Sequence, residues 1–334
     1  MRVITAMVAL MCLPIAVSAH HSRAEFSDRG LELEGELLSV RWRNPHPLFS
    51  LRTVNDNGDT ELWRLEAYGN ALTLQRTGVT GELFSNGDYV RVVGNISARQ
   101  DRVLLATHML LADGTEAVLE YDAEPYWSEQ HVGGKASWTI DESVLRSAAA
   151  ENRGIFRVWS LPRRGLDVRY SPFTEAAIAG RAAWDTLDNY LTRCEPPGMP
   201  HSMSNPQRYE FVEDNGNILV RAQFFNMVRT VHLQDAANPE DQPASKLGYS
   251  VGHWEGNTLV IETTRINWPY FDTSGTPQSE AVEVVERITL SDDQSRLDFH
   301  MTITDPATFT EPATFDRYWL ALGSELQHYE CEIG

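Results

Sequence analysis

The chain has 334 residues, 42% of them hydrophobic and 22% charged, with 47 acidic against 28 basic residues and a formal net charge of −19. A surface of that sign repels nucleic acid and anionic lipid. The length exceeds what one small core needs, so two domains are expected.

The first residues read as an address rather than as structure. Met1-Arg2 supplies one positive charge, Val3 to Val17 is apolar apart from Thr5, and Val17-Ser18-Ala19 is a small-residue cleavage site, the three parts of a secretory signal peptide. The apolar run is too brief to stay as a membrane span. Cleavage after Ala19 predicts a periplasmic or secreted protein that begins His20-His21. It also removes Arg2 and Cys12, leaving 27 basic against 47 acidic residues, a net charge of −20.

Extended segments follow at 31–42, 48–54, 60–68, 89–96 and 103–111, with a short helix over 71–77. Asn55-Asp56-Asn57-Gly58-Asp59 and Ala98-Arg99-Gln100-Asp101 supply turn chemistry between neighbouring strands. Five strands with a helix between the third and fourth predict an OB-like five-stranded barrel over 20–118. Residues 119–153 change character and read as a connector carrying a helix near 142–151.

From 154 to 334 the pattern is a helix over 174–189 and then eight strands: 209–213, 218–225, 227–233, 249–254, 258–266, 281–290, 296–304 and 314–322. Asp214-Asn215-Gly216-Asn217, Glu255-Gly256-Asn257 and Ser291-Asp292-Asp293-Gln294 mark hairpins. This order predicts an antiparallel, lipocalin-like β-barrel, with a sandwich as the alternative. The fold class is therefore mainly β with few short helices. Cys194 and Cys331 survive in the mature chain, and an oxidising compartment favours their pairing as a staple on the second half.

Two groups of residues carry candidate chemistry. Cleavage after Ala19 gives His20 a free α-amine, which with the same residue's ring Nδ1 closes a six-membered chelate on a metal, and copper(II) prefers such nitrogen donors. His21 offers a second route through the amine, the intervening amide and its own ring. His46, held between Pro45 and Pro47 in a stiff loop, is the candidate third ligand. The ten residues from His21 to Leu31 stretch roughly 33 Å, enough to run back along the first strand. His108 is the other candidate. The bland alternative is a frayed terminus and a turn histidine.

In the second domain, strand parity places Glu286 on the apolar face of Val282, Val284, Ile288 and Leu290, and Arg229 on that of Met227, Val231 and Leu233. By the same rule His253 joins Tyr249 and Val251, and Arg265 joins Leu259, Ile261 and Thr263. An inward carboxylate needs a partner, which Arg229 or Arg265 can provide bidentately. Arg229, His253 and Glu286 thus form a candidate ligand site, with a structural ion pair as the alternative. Arg296, Asp298 and His300 are expected to face solvent. Trp254, Trp268, Tyr270 and Phe271 either line a pocket or fill a core. No Gly-x-Ser-x-Gly elbow, phosphate loop or His-Glu-x-x-His helix occurs.

Two sets of motifs carry a resemblance. His20-His21-Ser22, Ala24-Glu25-Phe26, Trp42-Arg43-Asn44-Pro45-His46 and Gly87-Asp88 resemble an uncharacterised bacterial family of exported small domains. Those members also tend to begin after the signal with a His-His-Ser-like sequence and to carry Asn-Pro-His. The second half resembles a set of uncharacterised exported β-rich proteins through Ile155 to Trp159, Cys194 to Pro200, Val228-Arg229-Thr230, Gly252 to Leu259, Ser279-Glu280-Ala281 and Val285-Glu286-Arg287. This chain has His253 where that pattern carries Arg. Neither resemblance implies an activity.

The leading expectation is an exported copper-binding protein, with metal ligands His20, His21 and His46. The alternatives are a barrel that binds or transforms a small apolar molecule through Arg229 and Glu286, and a purely structural envelope module. A metal ion or small apolar molecule is the expected partner. No nucleic acid and no membrane insertion after processing are expected.

Overall fold

A computed structural model describes residues 26–135, 142–160, 168, 171–185, 188–204, 207–234, 236–323 and 325–332. His20 and His21 lie outside the described residues. No helix among the described residues is long and apolar enough to cross a membrane.

The first sheet is built from β1 (Phe26–Arg41), β2 (Leu48–Val54), β3 (Thr60–Ala67), β4 (Tyr89–Ser97) and β5 (Val103–Leu110), with α1 (Ala71–Arg76) between the third and fourth strands. Hydrogen bonding runs β3-β2-β1-β4-β5, and a parallel pairing of β3 with β5 closes the ring. Strand β1 is long enough to serve two neighbours. Its first part pairs with β4 and its last residues, Glu36 to Arg41, pair with β2. The alternation along β2, with Phe49, Leu51 and Thr53 buried, points one face inward onto Leu37, Leu65, Val92 and Leu104. Helix α1 starts where the Asn70 side chain accepts from Thr73 N and drops Leu74, fully buried, into the same core.

Two short strands extend this sheet beyond its expected end: β6 (Glu116–Val118) pairs with β5, and β7 (His131–Gly133) pairs in parallel with β6. Glu116 explains how the irregular stretch between them is held. Its buried carboxylate accepts from Tyr126 N, Trp127 N and Ser128 N at 2.6, 2.7 and 2.8 Å. Part of the expected connector therefore belongs to the first sheet, and α2 (Glu142–Ala150) follows.

The second half is a closed barrel of nine strands: β8 (Val158–Ser160), β9 (Arg208–Asp214), β10 (Asn217–Ala222), β11 (Met227–His232), β12 (Tyr249–Glu255), β13 (Thr258–Thr264), β14 (Glu283–Leu290), β15 (Arg296–Thr304) and β16 (Ala313–Leu322). The first of them, β8, pairs with β16 to close it. Helix α3 (Glu175–Ala183), capped by the Thr174 side chain on Ala177 N, lies in the connection from β8 to β9. Two of the predicted hairpin joints occur as two-residue turns, Asn215-Gly216 between β9 and β10 with both φ positive, and Gly256-Asn257 between β12 and β13 with Gly256 at φ +64°, while the third spans residues 291–295 between β14 and β15.

The barrel differs from the expected pattern at one seam, because β11 and β12 pair in parallel. Parity requires this. Strands that alternate direction around a closed ring of nine must meet somewhere running the same way. The seam falls at the 16-residue link 233–248, which is long enough for a crossover. The interior is filled by Trp159, Tyr209, Phe211, Leu259, Ile261, Ile288, Phe299, Met301 and Trp319, among others.

Candidate functional site

Arg229 and Glu286 meet inside the second barrel. Arg229 sits on β11 beside Val231, and Glu286 on β14 between Val284 and Ile288, so the expected parity holds for both. Arg229 Nη1 lies 2.5 Å from Glu286 Oε2 and Nη2 lies 3.0 Å from Oε1, the two-pronged geometry that suits a guanidinium and a carboxylate. Nη1 also reaches Thr263 Oγ1 at 3.2 Å and Ser250 Oγ at 3.4 Å, and these hydroxyls bond each other at 2.9 Å. Arg229 is 5% exposed and Glu286 fully buried. Arg229 Nε, also buried, has no partner among the described residues.

His253 does not join this pair. Its side chain is 54% exposed and its Nε2 lies 3.2 Å from Glu255 Oε1 on the outer surface. The expected face of β12 is reversed because its inner residues are Ser250 and Gly252, while Tyr249 stacks outside on His232. A side chain at position 252 could not point inward, since a Cβ there would lie 2.6 Å from Val231 Cγ1. Arg265 is likewise outside. Strand β13 ends at Thr264, and Arg265 turns to φ +57°, which breaks the alternation and sends its Nε to the Gln242 carbonyl. Arg296, Asp298 and His300 face outward as expected, with His300 Nδ1 2.8 Å from Asp316 Oδ1. They border a groove of about 630 Å³ on the outside of β14 to β16.

The sequence reading missed a second buried cluster. Tyr190 is packed edge-on to Trp268 and stacked on Tyr270, and its hydroxyl hydrogen-bonds His201 Nδ1. Burial holds the His201 imidazole down to about 4, partly opposed by Asp272, and pushes the Tyr190 hydroxyl well above its ordinary value. Both groups are therefore neutral near pH 7, and their bond is one between uncharged partners. Of these residues only Trp268 and Tyr270 drew attention in the sequence. Trp268 is buried, which fits core filling, whereas Trp254 is exposed.

In the first domain, His46 turns Nδ1 toward the Ala67 carbonyl at 3.0 Å, and its Nε2 lies 4.0 Å from Glu66 Oε1. His108 is buried, with Nε2 3.0 Å from the Glu124 carbonyl and Nδ1 2.9 Å from Thr107 Oγ1. Strand β1 begins at Phe26, earlier than expected. Its 16 residues run on the order of 50 Å along the strand. Among the described residues no group of three His, Cys, Asp or Glu side chains is arranged to hold a metal.

Cys194 and Cys331 form the expected disulfide, with Cα atoms 5.7 Å apart. It anchors a tail that returns to the first domain. Asn44 Nδ2 donates to the Glu330 carbonyl at 2.8 Å, Glu332 N donates to the Asn44 carbonyl at 3.2 Å, and Arg43 Nη1 pairs with Glu332 at 3.0 Å. Tyr329 packs on Phe224 and Leu72, joining side chains from both halves. Asn44 of the Asn-Pro-His motif is thus an interdomain contact, a use the motif's spacing did not reveal.

Fold and site together define a mainly β protein: a ring of five strands in OB-like order, extended by two more, joined to a closed nine-strand barrel with a buried arginine–glutamate pair. Residues 8–103 match the model of a family of unknown function, DUF6152. No curated protein matches the chain.

Proposed function

We propose that the chain is an exported copper-binding protein whose metal is held at the new amino terminus by His20, through its α-amine and ring, with His21 as the neighbouring donor. The observation that carries this reading is the extent of the family match. It begins at residue 8, so it spans the end of the signal-like segment, the histidine pair and most of the first domain as one unit. Imidazole and amine nitrogens suit copper(II) above the other divalent first-row ions.

The test is copper(II) titration of protein secreted from its own signal peptide, after mass spectrometry has established that it starts at His20. The expected result is one equivalent bound, with nitrogen hyperfine structure in the electron paramagnetic resonance spectrum. Inserting one alanine before His20 should replace that spectrum with a different one, because the new amino terminus, two amides and the His21 ring form another nitrogen donor set. An unchanged spectrum in the inserted variant, or a mature chain that starts elsewhere, overturns the reading.

A second reading, a barrel that holds a small molecule, is favoured by Arg229. Its buried Nε is a donor still available beside a saturated ion pair, and an acceptor on an otherwise apolar ligand would satisfy it. Saturation with such a ligand should raise the melting temperature of the wild type and not of R229M. If a broad set of apolar carboxylates and ketones leaves the wild-type melting temperature unmoved, the interior is a filled core and the barrel a scaffold.

A further inference from the structure

We infer that the Asn44 loop of the first domain is a receptor for an extended acidic segment, and that this chain fills it in cis with its own Tyr329–Glu332. The contact has the form of strand addition. Asn44 and Cys331 make a parallel β-bridge, the Asn44 carbonyl accepts from Glu332 N, and the Asn44 side chain donates to the Glu330 carbonyl. Main-chain hydrogen bonds of this kind recognise an extended backbone, and adjacent side chains set the choice of partner.

The side chains here are complementary in charge and shape. Arg41 and Arg43 line the groove, about 340 Å³ in volume, on the side of the first domain, and Glu330 and Glu332 come from the tail. In a chain whose acidic residues outnumber its basic ones 47 to 28, two arginines flanking one loop form a local exception. Tyr329 is the apolar anchor. It is 5% exposed, seated among Phe224, Phe225 and Leu72, and Asn226 clamps its backbone from both sides, Nδ2 on the Tyr329 carbonyl and Oδ1 on Tyr329 N, each at 2.8 Å.

A second observation separates receptor from occupant. The first-domain residues that build the groove, Arg41, Arg43, Asn44, Leu72 and Gln75, all lie inside the family match at 8–103, whereas the tail lies outside it. The receptor surface therefore belongs to the matched domain, and the segment seated on it comes from the other half of the chain. The Cys194–Cys331 disulfide then acts on local concentration, holding the occupant beside its receptor.

The alternative is that the disulfide alone pins the tail and the loop contributes nothing. Hydrogen exchange of residues 325–332 in the full-length protein separates the two, read for wild type and N44D, each oxidised and reduced with dithiothreitol. N44D keeps the size of the side chain and removes the donor to Glu330. A receptor predicts that the reduced wild-type tail still exchanges at least tenfold slower than a free peptide of the same sequence, and that reduced N44D loses that protection. Added synthetic 325–332 peptide, with serine at the cysteine position, should also speed exchange of the reduced wild-type tail where a scrambled peptide does not. Unchanged exchange in β2 and in β14 shows that N44D is folded in both halves. Free-peptide exchange in the reduced wild type, equal protection in N44D, or equal effects of the two peptides overturns the inference.

Discussion

Arg229 and Glu286, 57 residues apart in sequence, face each other inside the second barrel, and two hydroxyls from the strands between them, Ser250 on β12 and Thr263 on β13, add to the contacts of the guanidinium's Nη1. The pair lies among aliphatic and aromatic side chains, where an uncompensated charge is costly. Removing one partner should therefore hurt more than removing both. R229M and E286L are each expected to lose about 3–5 kcal/mol, and the double variant much less than the sum. Urea unfolding of the four proteins measures this. Strictly additive losses would mean that the two charges do not depend on each other.

Glu116 should behave as a latch. Its carboxylate is the acceptor for three successive backbone amides, Tyr126 to Ser128, in a half-buried stretch. E116A leaves three donors unmet, each worth about 1–3 kcal/mol when buried. Because the stretch is only half-buried, we expect a total loss of about 1–3 kcal/mol and faster exchange of the 126–128 amides. E116Q, which retains one carbonyl oxygen, should fall between the two. Equal stability of E116A and wild type would show that water replaces the carboxylate without cost.

Acid sensitivity should map in part to His201. Its folded-state value is depressed to about 4 from the ordinary 6.5, chiefly by burial. Between those limits the unfolded chain binds a proton that the folded chain refuses, so stability is complete above pH 6.5 and falls as the pH drops toward 4. The carboxylates of this acidic chain titrate over part of the same range, so the informative quantity is the difference between proteins. H201Q should lose less stability than wild type between pH 6.5 and 4, by on the order of 3 kcal/mol. Parallel pH profiles for the two would sink the assignment.

Reduction of Cys194–Cys331 should lower the melting temperature. The bond closes a separation of 137 residues, for which the chain-entropy model gives about 5 kcal/mol. C194S and C331S should each match reduced wild type within ~1 kcal/mol, and neither should respond to dithiothreitol. A larger loss in C331S than in C194S would locate part of the effect in the tail itself.

Much of the architecture is legible in the sequence because it rests on local rules. Alternation along 48–54 and 281–290, and turn residues such as Asn215-Gly216, depend on a few neighbouring side chains and hold in the fold. The failures occur where a distant strand decides. Tyr249 and Val251 look like the inner face of β12, yet the register that pairs Ser250 with Thr263 turns the small residues inward. Strand β8 has only three residues, too short for a period, and exists because β16 and β9 flank it. The parallel seam follows from the strand count, which no single segment contains. Arg265 defeats parity through one positive φ.

At the candidate sites the same distinction holds. Glu286 and Arg229 are readable because a charge on an otherwise apolar face is a local anomaly. The Tyr190–His201 pair is not, since both residues come from irregular backbone between α3 and β9 where no periodicity assigns a face. Glu116 is equally silent, as its three amides belong to residues with no pattern of their own. The part played by Asn44 depends on residues nearly 290 positions later in the chain.

That separation has a consequence for how the molecule is made. Cys194 emerges well before Cys331, and the first domain can finish its ring before the segment that docks on Asn44 exists. Throughout that interval the nascent chain carries an unpaired thiol and a vacant strand-binding edge. Under the proposed cleavage after Ala19, Cys12 leaves with the leader, no wrong bond within one molecule is available, and thiol errors are only between molecules. The yield of correct monomer is thus set by a race between the arrival of the last strand and collision with a neighbour, and it should fall with expression level.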